Sequence, residues 1–298
     1  MKNVVLAATF GLTCAAPATA QMTQASCAVS WGMLSVPLGL SADLSTPNLD
    51  GDRCVVRDLD VRTGRLRLLV DEVRWQLDGL EALLISGTLL DRAEISARGV
   101  YVMASTGMTD FDYVLEAQAR AAEGISVDLL ATHAGGTVTL DHLHVGFSSN
   151  NEIDATLRLD NVDPRAPDQA VIRALRLEVL THGLFESFAL MPLANLLLSS
   201  DEEAEVQVAR LQTQAIAAID GLPEPMFQSP TRDALVALVL DMPNPAGRVI
   251  FDLQAEDGLP LSQFSEDAGL LGRLPVTDPL EALAGAELQI RYIRPGEE

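Results

Sequence analysis

From Cys54 the chain alternates apolar and polar residues with a period of two, and it keeps returning to that period as far as Val179. Val55, Leu59 and Val61 alternate with Asp58, Asp60 and Arg62. Leu66, Leu68 and Val70 alternate with Arg65, Arg67 and Asp71, and Val73, Trp75 and Leu77 with Arg74, Gln76 and Asp78. Successive side chains of a strand point to opposite faces, so the pattern predicts strands with one apolar face and one charged, wet face. Leu83 and Ile85 continue the series as strand residues, followed by Ile95, Ala97, Gly99 and Tyr101. Gly64, Asp78-Gly79 and Ser86-Gly87 stand where such strands must turn. A helix is predicted over 109–123, capped by Thr109, with Asp110 and Asp112 in its first turn. Alternation then resumes over 125–133, 137–147, 153–159 and 171–179, with Gly135-Gly136 as a hairpin turn that pairs His133 with Val138. Connections this short make an antiparallel meander.

At Gly183 the period becomes helical. The segment 184–198 holds one charged residue, Glu186, and is apolar nearly all round. Ser199 or Ser200 caps a second helix, with Asp201, Glu202 and Glu203 in its first turn and Val208, Leu211, Ala215 and Ile219 on one stripe. Ser229-Pro230 opens a third, which runs to Leu240. A strand at 247–253, a short helix at 278–284 and a closing strand at 288–293 complete the series. The expected fold is α+β: a long, curved antiparallel sheet with helices packed on its apolar face, mostly in the C-terminal third. No break divides it, so 21–298 reads as one domain, strand-rich over 54–182 and helix-rich over 183–298.

The start of the chain carries an address. Lys2, an apolar stretch over 4–12 and Ala18-Thr19-Ala20 form a secretory signal over 1–20, to be cleaved after Ala20, which implies a periplasmic protein. Cleavage would remove Cys14 and leave Cys27 and Cys54. An even pair in an oxidising compartment favours a disulfide, which would staple the mature N-terminus to the first strand. Two buried free thiols are the alternative. The 298 residues carry a net charge of −22. So acidic a surface excludes nucleic acid as a partner and disfavours anionic lipid headgroups. Lys2 is the only lysine, and the arginines are scattered rather than clustered.

Little in the chain suggests chemistry. His142 and His144 lie about 6.5 Å apart at strand spacing and share a face with His133, which is too far along to join them; no third ligand is identifiable, and no metal is expected. Asp58 with Asp60, and Asp71 with Glu72, read as a solvated strand face. There is no G-x-S-x-G, H-E-x-x-H, C-x-x-C or phosphate-binding glycine loop, so no catalytic residue and no cofactor is expected.

The strand phrasing of 55–60 (VVRDLD), 66–75 (LRLLVDEVRW) and 93–99 (AEISARG), with the later stretches 232–240, 247–253 (GRVIFDL) and 278–293 (DPLEALAGAELQIRYI), resembles AsmA-like and YdgA-like bacterial envelope proteins. The resemblance implies envelope biogenesis and lipid handling, and carries no catalytic residues. This chain differs in having a cleavable signal in place of a membrane anchor. The leading expectation is a non-enzymatic exported protein that binds or moves lipid in an apolar groove lined by Val61, Leu68, Trp75, Ile85, Leu184, Phe188 and Leu193. A structural protein with a solid core, binding other envelope proteins, is the alternative. A hydrolase would require a buried carboxylate of strongly raised pKa in a cleft.

Overall fold

A computed structural model describes residues 22–35, 45–199, 201–224, 226–264 and 283–297. The predicted signal and the short helix expected at 278–284 lie outside the described residues, apart from the last two positions of that helix. The strands are β1 (Asn48–Asp50), β2 (Arg53–Thr63), β3 (Leu66–Asp78), β4 (Arg92–Ala104), β5 (Ile125–Ala134), β6 (Thr137–Phe147), β7 (Asn151–Asp160), β8 (Val171–His182), β9 (Ala246–Pro260) and β10 (Glu287–Ile293). They form one long, curved antiparallel sheet in strict sequence order, open at both edges. Strands from both halves of the chain share this sheet. The helices are α1 (Gln24–Ser35), α2 (Leu80–Ser86), α3 (Thr109–Ala121), α4 (Leu184–Phe188), α5 (Leu190–Leu197), α6 (Ala204–Asp220) and α7 (Ser229–Asp241). The α+β meander expected from the alternation is therefore observed.

The strands bend at shared points. In β2 the inward residues are Cys54 and Val56, then Leu59 and Val61; in β3 they are Leu77, Trp75 and Val73, then Val70 and Leu68; in β4, Ala93, Ile95 and Ala97, then Val100. Each strand shifts its alternation by one residue, at Asp58, Asp71 and Gly99 respectively, and the three sites lie side by side in register. Asp58 and Gly99 are both left-handed, with φ of 55° and 60°. Only glycine suits the third site, because a Cβ on Gly99 would sit 2.0 Å from Asp71 Oδ2. Further slips follow near Asp141 and Arg173. Bulges of this kind bend strands and raise their twist, which curves the sheet.

Helices cover the apolar face at its two ends. Over β2–β4, α1 and α2 bring Cys27, Trp31, Leu34, Leu80 and Leu83 onto Val56, Leu59 and Trp75. The Cys27–Cys54 disulfide ties α1 to β2, with Cα atoms 5.4 Å apart. Leu83 and Ile85 are not strand residues, as the sequence suggested, but belong to α2. The stretch between Gly79 and Gly87 is rich in good helix formers, and both glycines are left-handed; Gly87 N–H closes the helix on the Leu83 carbonyl at 3.0 Å. At the other end α7 lies along β10. Thr231 Oγ1 accepts from Ile290 N–H and lies 3.3 Å from the Leu288 carbonyl, which satisfies part of the sheet's free edge. α3 takes the opposite, polar face, where Glu116 meets Arg67 and Arg120 meets Asp71. Its N-cap is Met108, not Thr109.

The α7–β10 junction ends in a clamp. Asp241 accepts from Arg294 Nε at 2.7 Å and Nη2 at 3.0 Å, and Tyr292 Oη donates to its Oδ2 at 2.9 Å. Arg294 holds the Asp241 carboxyl below its ordinary value, while burial and the neighbouring carboxylate push Tyr292 up to about 12. A carboxylate with a depressed folded pKa stabilises the fold above its unfolded value, near 3.8, and loses that stabilisation as pH falls through the folded value. Tyr292 works in the opposite direction: its contribution is intact below 10.0 and is lost as pH rises toward about 12. Asp241→Asn should therefore lower the melting temperature at pH 7 and differ less from the wild type at a second, acidic pH well below 3.8. A difference of equal size at both pH values would show that the carboxylate charge does not matter.

Candidate functional site

Residues paired across neighbouring strands share a face, so the registers can be followed as rows across the sheet. One row runs Trp75, Ile95, Leu129, Leu143, Ala155, Leu177, Phe251, Ile290. Its neighbour on one side is Val73, Ala97, Val127, Val145, Ile153, Val179, Val249, Tyr292. On the other side lies Leu77, Ala93, Ala131, Leu140, Leu157, Leu175, Leu253, Leu288. None of these side chains carries a charge. Intervening rows, such as Arg74, Ser96, Asp128, His144, Asp154 and Glu178, point the other way. The slips at Asp58, Asp71, Gly99, Asp141 and Arg173 keep the apolar residues together on one face; without them β2 would present Asp58 and Asp60 there, β3 Asp71 and Arg67, and β8 Arg173.

This face is buried only at its ends. Trp75, Leu77, Val249, Leu253 and Ile290 are buried, whereas Val127, Leu129, Leu143, Val145, Ile153, Ala155 and Leu157 are only half-buried. Among the described residues no helix makes more than marginal contact with β5, β6 or β7, the ring contact of Phe188 with Phe147 at 5.6 Å being the clearest. From β4 to β8 the open apolar span is roughly 20 Å wide, at about 4.8 Å per strand.

Apolar cavities flank it. One of about 310 Å³ lies on the β8–β9 end, lined by Val179, Leu184, Phe185, Phe188, Leu238, Val249 and Phe251. Sharing Phe185 and Met242 with it, a second of about 250 Å³ sits between α5, α6 and α7, lined by Leu190, Leu193, Leu197, Val208 and Leu211 among others. A third, about 380 Å³, opens between α1 and α2 beside Met22, Val29, Leu80, Leu84 and Ile85.

The residues expected to line a groove fall into two separated groups. Val61, Leu68 and Trp75 belong to the packed core beneath α1, and Ile85 projects from α2, 78% exposed, at the rim of the third cavity. Leu184 and Phe188 line the cavity on β8–β9, and Leu193 the one behind it. Trp75 and Phe251 sit in the same row but six strands apart, or about 29 Å. The sequence reading named none of the half-buried residues between them, although their alternation was plain.

The segment 184–198 is two helices rather than one. Pro192 has no N–H to give the Phe188 carbonyl, so α4 ends at Phe188 and α5 restarts with Leu193 N–H bonded to Ala189. The next helix begins at Ala204 with Glu203 at its cap, later than the serines suggested. Gln207, 2% exposed, fixes this connection: its Oε1 accepts from Ser199 N–H and its Nε2 donates to the Ser199 and Glu202 carbonyls. A polar residue on an apolar stripe was the only sequence signal for it.

The polar face is a lattice of ion pairs, between strands for Arg67 with Asp60, Arg57 with Glu72, Arg98 with Asp128, Arg173 with Asp160 and Arg176 with Asp252, and along one strand for Arg74 with Glu72 and Arg176 with Glu178. Arg67 and Arg74 hold Asp60 and Glu72 below the ordinary carboxylate range, and hydrogen bonds from Thr106 and Thr137 do the same for Asp112 and Asp160. His133 does pair with Val138. The slip at Asp141, however, turns His142 and His144 onto the opposite face from His133, correcting the expectation that all three share one face. The rings of His142 and His144 stack at 6.0 Å, and His144 Nδ1 lies 2.9 Å from Asp154. Among the described residues no cluster of three or more His, Cys, Asp or Glu could hold a metal. No helix among them is long and apolar enough to cross a membrane.

No family model matches the chain, and no curated protein matches it.

Proposed function

We propose that this is an exported, non-enzymatic envelope protein that binds acyl chains along the open apolar face of its sheet. The observation behind this reading is the set of three uncharged rows that run from β3 to β10 and are only half-buried over β5–β7, where no described helix packs on them. Contiguous apolar surface on this scale costs free energy in water and is offset by an apolar ligand or partner. Each methylene buried there would contribute about 0.8 kcal/mol. The Cys27–Cys54 disulfide supports an oxidising compartment, and with the signal expected over 1–20 it supports export to the periplasm with cleavage after Ala20.

A structural or partner-binding role is favoured by a different observation. Val61, Leu68 and Trp75 are packed into a core under α1 and line no groove. The two readings separate on the protein purified, without detergent, from a host that exports it. Mass spectrometry of its organic extract should find stoichiometric lipid, and the intact mass should begin at Gln21. Protein free of lipid would favour the structural role.

A further inference from the structure

The kinked α4–α5 segment is apolar on its outside as well as its inside. Inward, Leu193 and Leu197 line the cavity against α6, and Phe185 reaches both cavities. Outward, Met191 and Leu196 are 70% and 77% exposed, and Phe188, at the edge of the sheet-side cavity, is 59% exposed. No charged residue occurs over 187–199, whereas Glu186, Asp201, Glu202 and Glu203 flank the stretch on both sides.

Chemistry narrows what could cover this surface. Protein interfaces concentrate their energy in Trp, Tyr and Arg anchors and fix their register with hydrogen bonds. The stretch 187–199 has none of those three residue types, and its polar side chains are Ser187, Asn195 and Ser199. A surface of aliphatic side chains and methionine without directional groups suits a fluid apolar medium better than a shaped partner. The flanking carboxylates oppose an anionic headgroup layer, so the medium they match is neutral or zwitterionic lipid. The 8 residues of α5 span about 12 Å, enough to lie within the interface and too few to cross it.

We infer that α4–α5 is a lip that dips into a zwitterionic lipid surface and feeds acyl chains into the β8–β9 end of the apolar span. The inference rests on the acyl-binding reading above, and the segment sits where it must for that purpose: Leu184 and Phe188 border the cavity that also touches Val179, Val249 and Phe251 of the sheet rows.

The experiment is flotation of the full chain with phosphatidylcholine vesicles, with and without phosphatidylglycerol, for the wild type, Leu196→Glu and Met191→Glu. Both side chains are exposed, so these variants should keep the wild-type melting temperature. Wild type should float with phosphatidylcholine, less so as phosphatidylglycerol is added, and each variant should partition roughly tenfold or more weakly, the equivalent of one lost buried apolar side chain. Binding of a fluorescent fatty acid from solution, measured on the same proteins, should be unchanged in both variants. Wild type that binds the fatty acid but does not float overturns the lip and leaves the acyl-binding reading standing. Flotation without fatty-acid binding supports the lip as a membrane contact and overturns the acyl-binding reading. Self-association or protein capture that is lost in Leu196→Glu, with no flotation of wild type, would overturn the lip in favour of a protein partner.

Discussion

Trp75→Ala should destabilise the protein by roughly 3–5 kcal/mol, the range for deleting a large aromatic from a packed core. Trp75 is 1% exposed; its ring stacks on Trp31 at 5.6 Å, and its Nε1–H donates to Ser30 Oγ at 2.8 Å. Ser30 in turn bonds the Ser26 carbonyl, so the indole joins α1 to the sheet through both packing and a buried hydrogen bond. Trp75→Phe, which keeps one aromatic ring but removes the donor and the indole's second ring, should cost less than the full truncation, the lost hydrogen bond accounting for about 1 kcal/mol of it. The chain has two tryptophans, and they are this pair, so intrinsic fluorescence during denaturation reports the α1 core directly. Equal costs for both substitutions would mean that the packing around the ring contributes little.

Removing the disulfide should have an effect of similar size. Cys27 and Cys54 are 27 residues apart and fully buried. Opening a loop of that length restores denatured-state entropy worth about 3–4 kcal/mol in the chain-entropy model. Beyond the disulfide and the indole, α1 is fastened to the chain near β1 by Gln24, whose Nε2 donates to the Pro47 carbonyl and whose Oε1 accepts from Leu49 N–H. The Cys27→Ala/Cys54→Ala double variant should therefore lose protection of α1 amides from hydrogen exchange before it loses protection in β5–β8. Full alkylation of both thiols in the native protein without reductant would contradict the account.

The meander was legible in the sequence because its cause is local: alternation sets strand faces, and Gly135-Gly136, with φ of 59° and 82°, supplies the left-handed pair that a two-residue hairpin requires. What escaped was the phase. Val70 and Val73 visibly change the alternation, but that the same slip recurs beside it at Asp58 and Gly99 depends on register, which only the paired strands fix. The histidines were misplaced for the same reason at Asp141. α2 was read as strand because Leu83 and Ile85 alternate over too few residues to distinguish a period of two from one of 3.6. Sequence alone points to the most apolar segments, around Trp75 and over 184–198, as the walls of a groove. The most apolar segments are the ones that other elements cover, however, and the uncovered residues, Leu129, Leu143 and Ile153, look ordinary in sequence.

The central claim is that the half-buried rows over β5–β7 take an acyl chain. It is tested most directly by titrating a fluorescent fatty acid into folded wild type, Leu143→Glu in the middle of the span, and Asp154→Asn on the polar face. Leu143 is only half-buried, so the glutamate can keep contact with water in the unliganded fold while opposing an apolar ligand. The account predicts saturable binding by wild type and Asp154→Asn, and affinity at least about tenfold weaker in Leu143→Glu, the equivalent of roughly two methylenes no longer buried. No saturable binding by wild type, or undiminished binding by a folded Leu143→Glu, would contradict it.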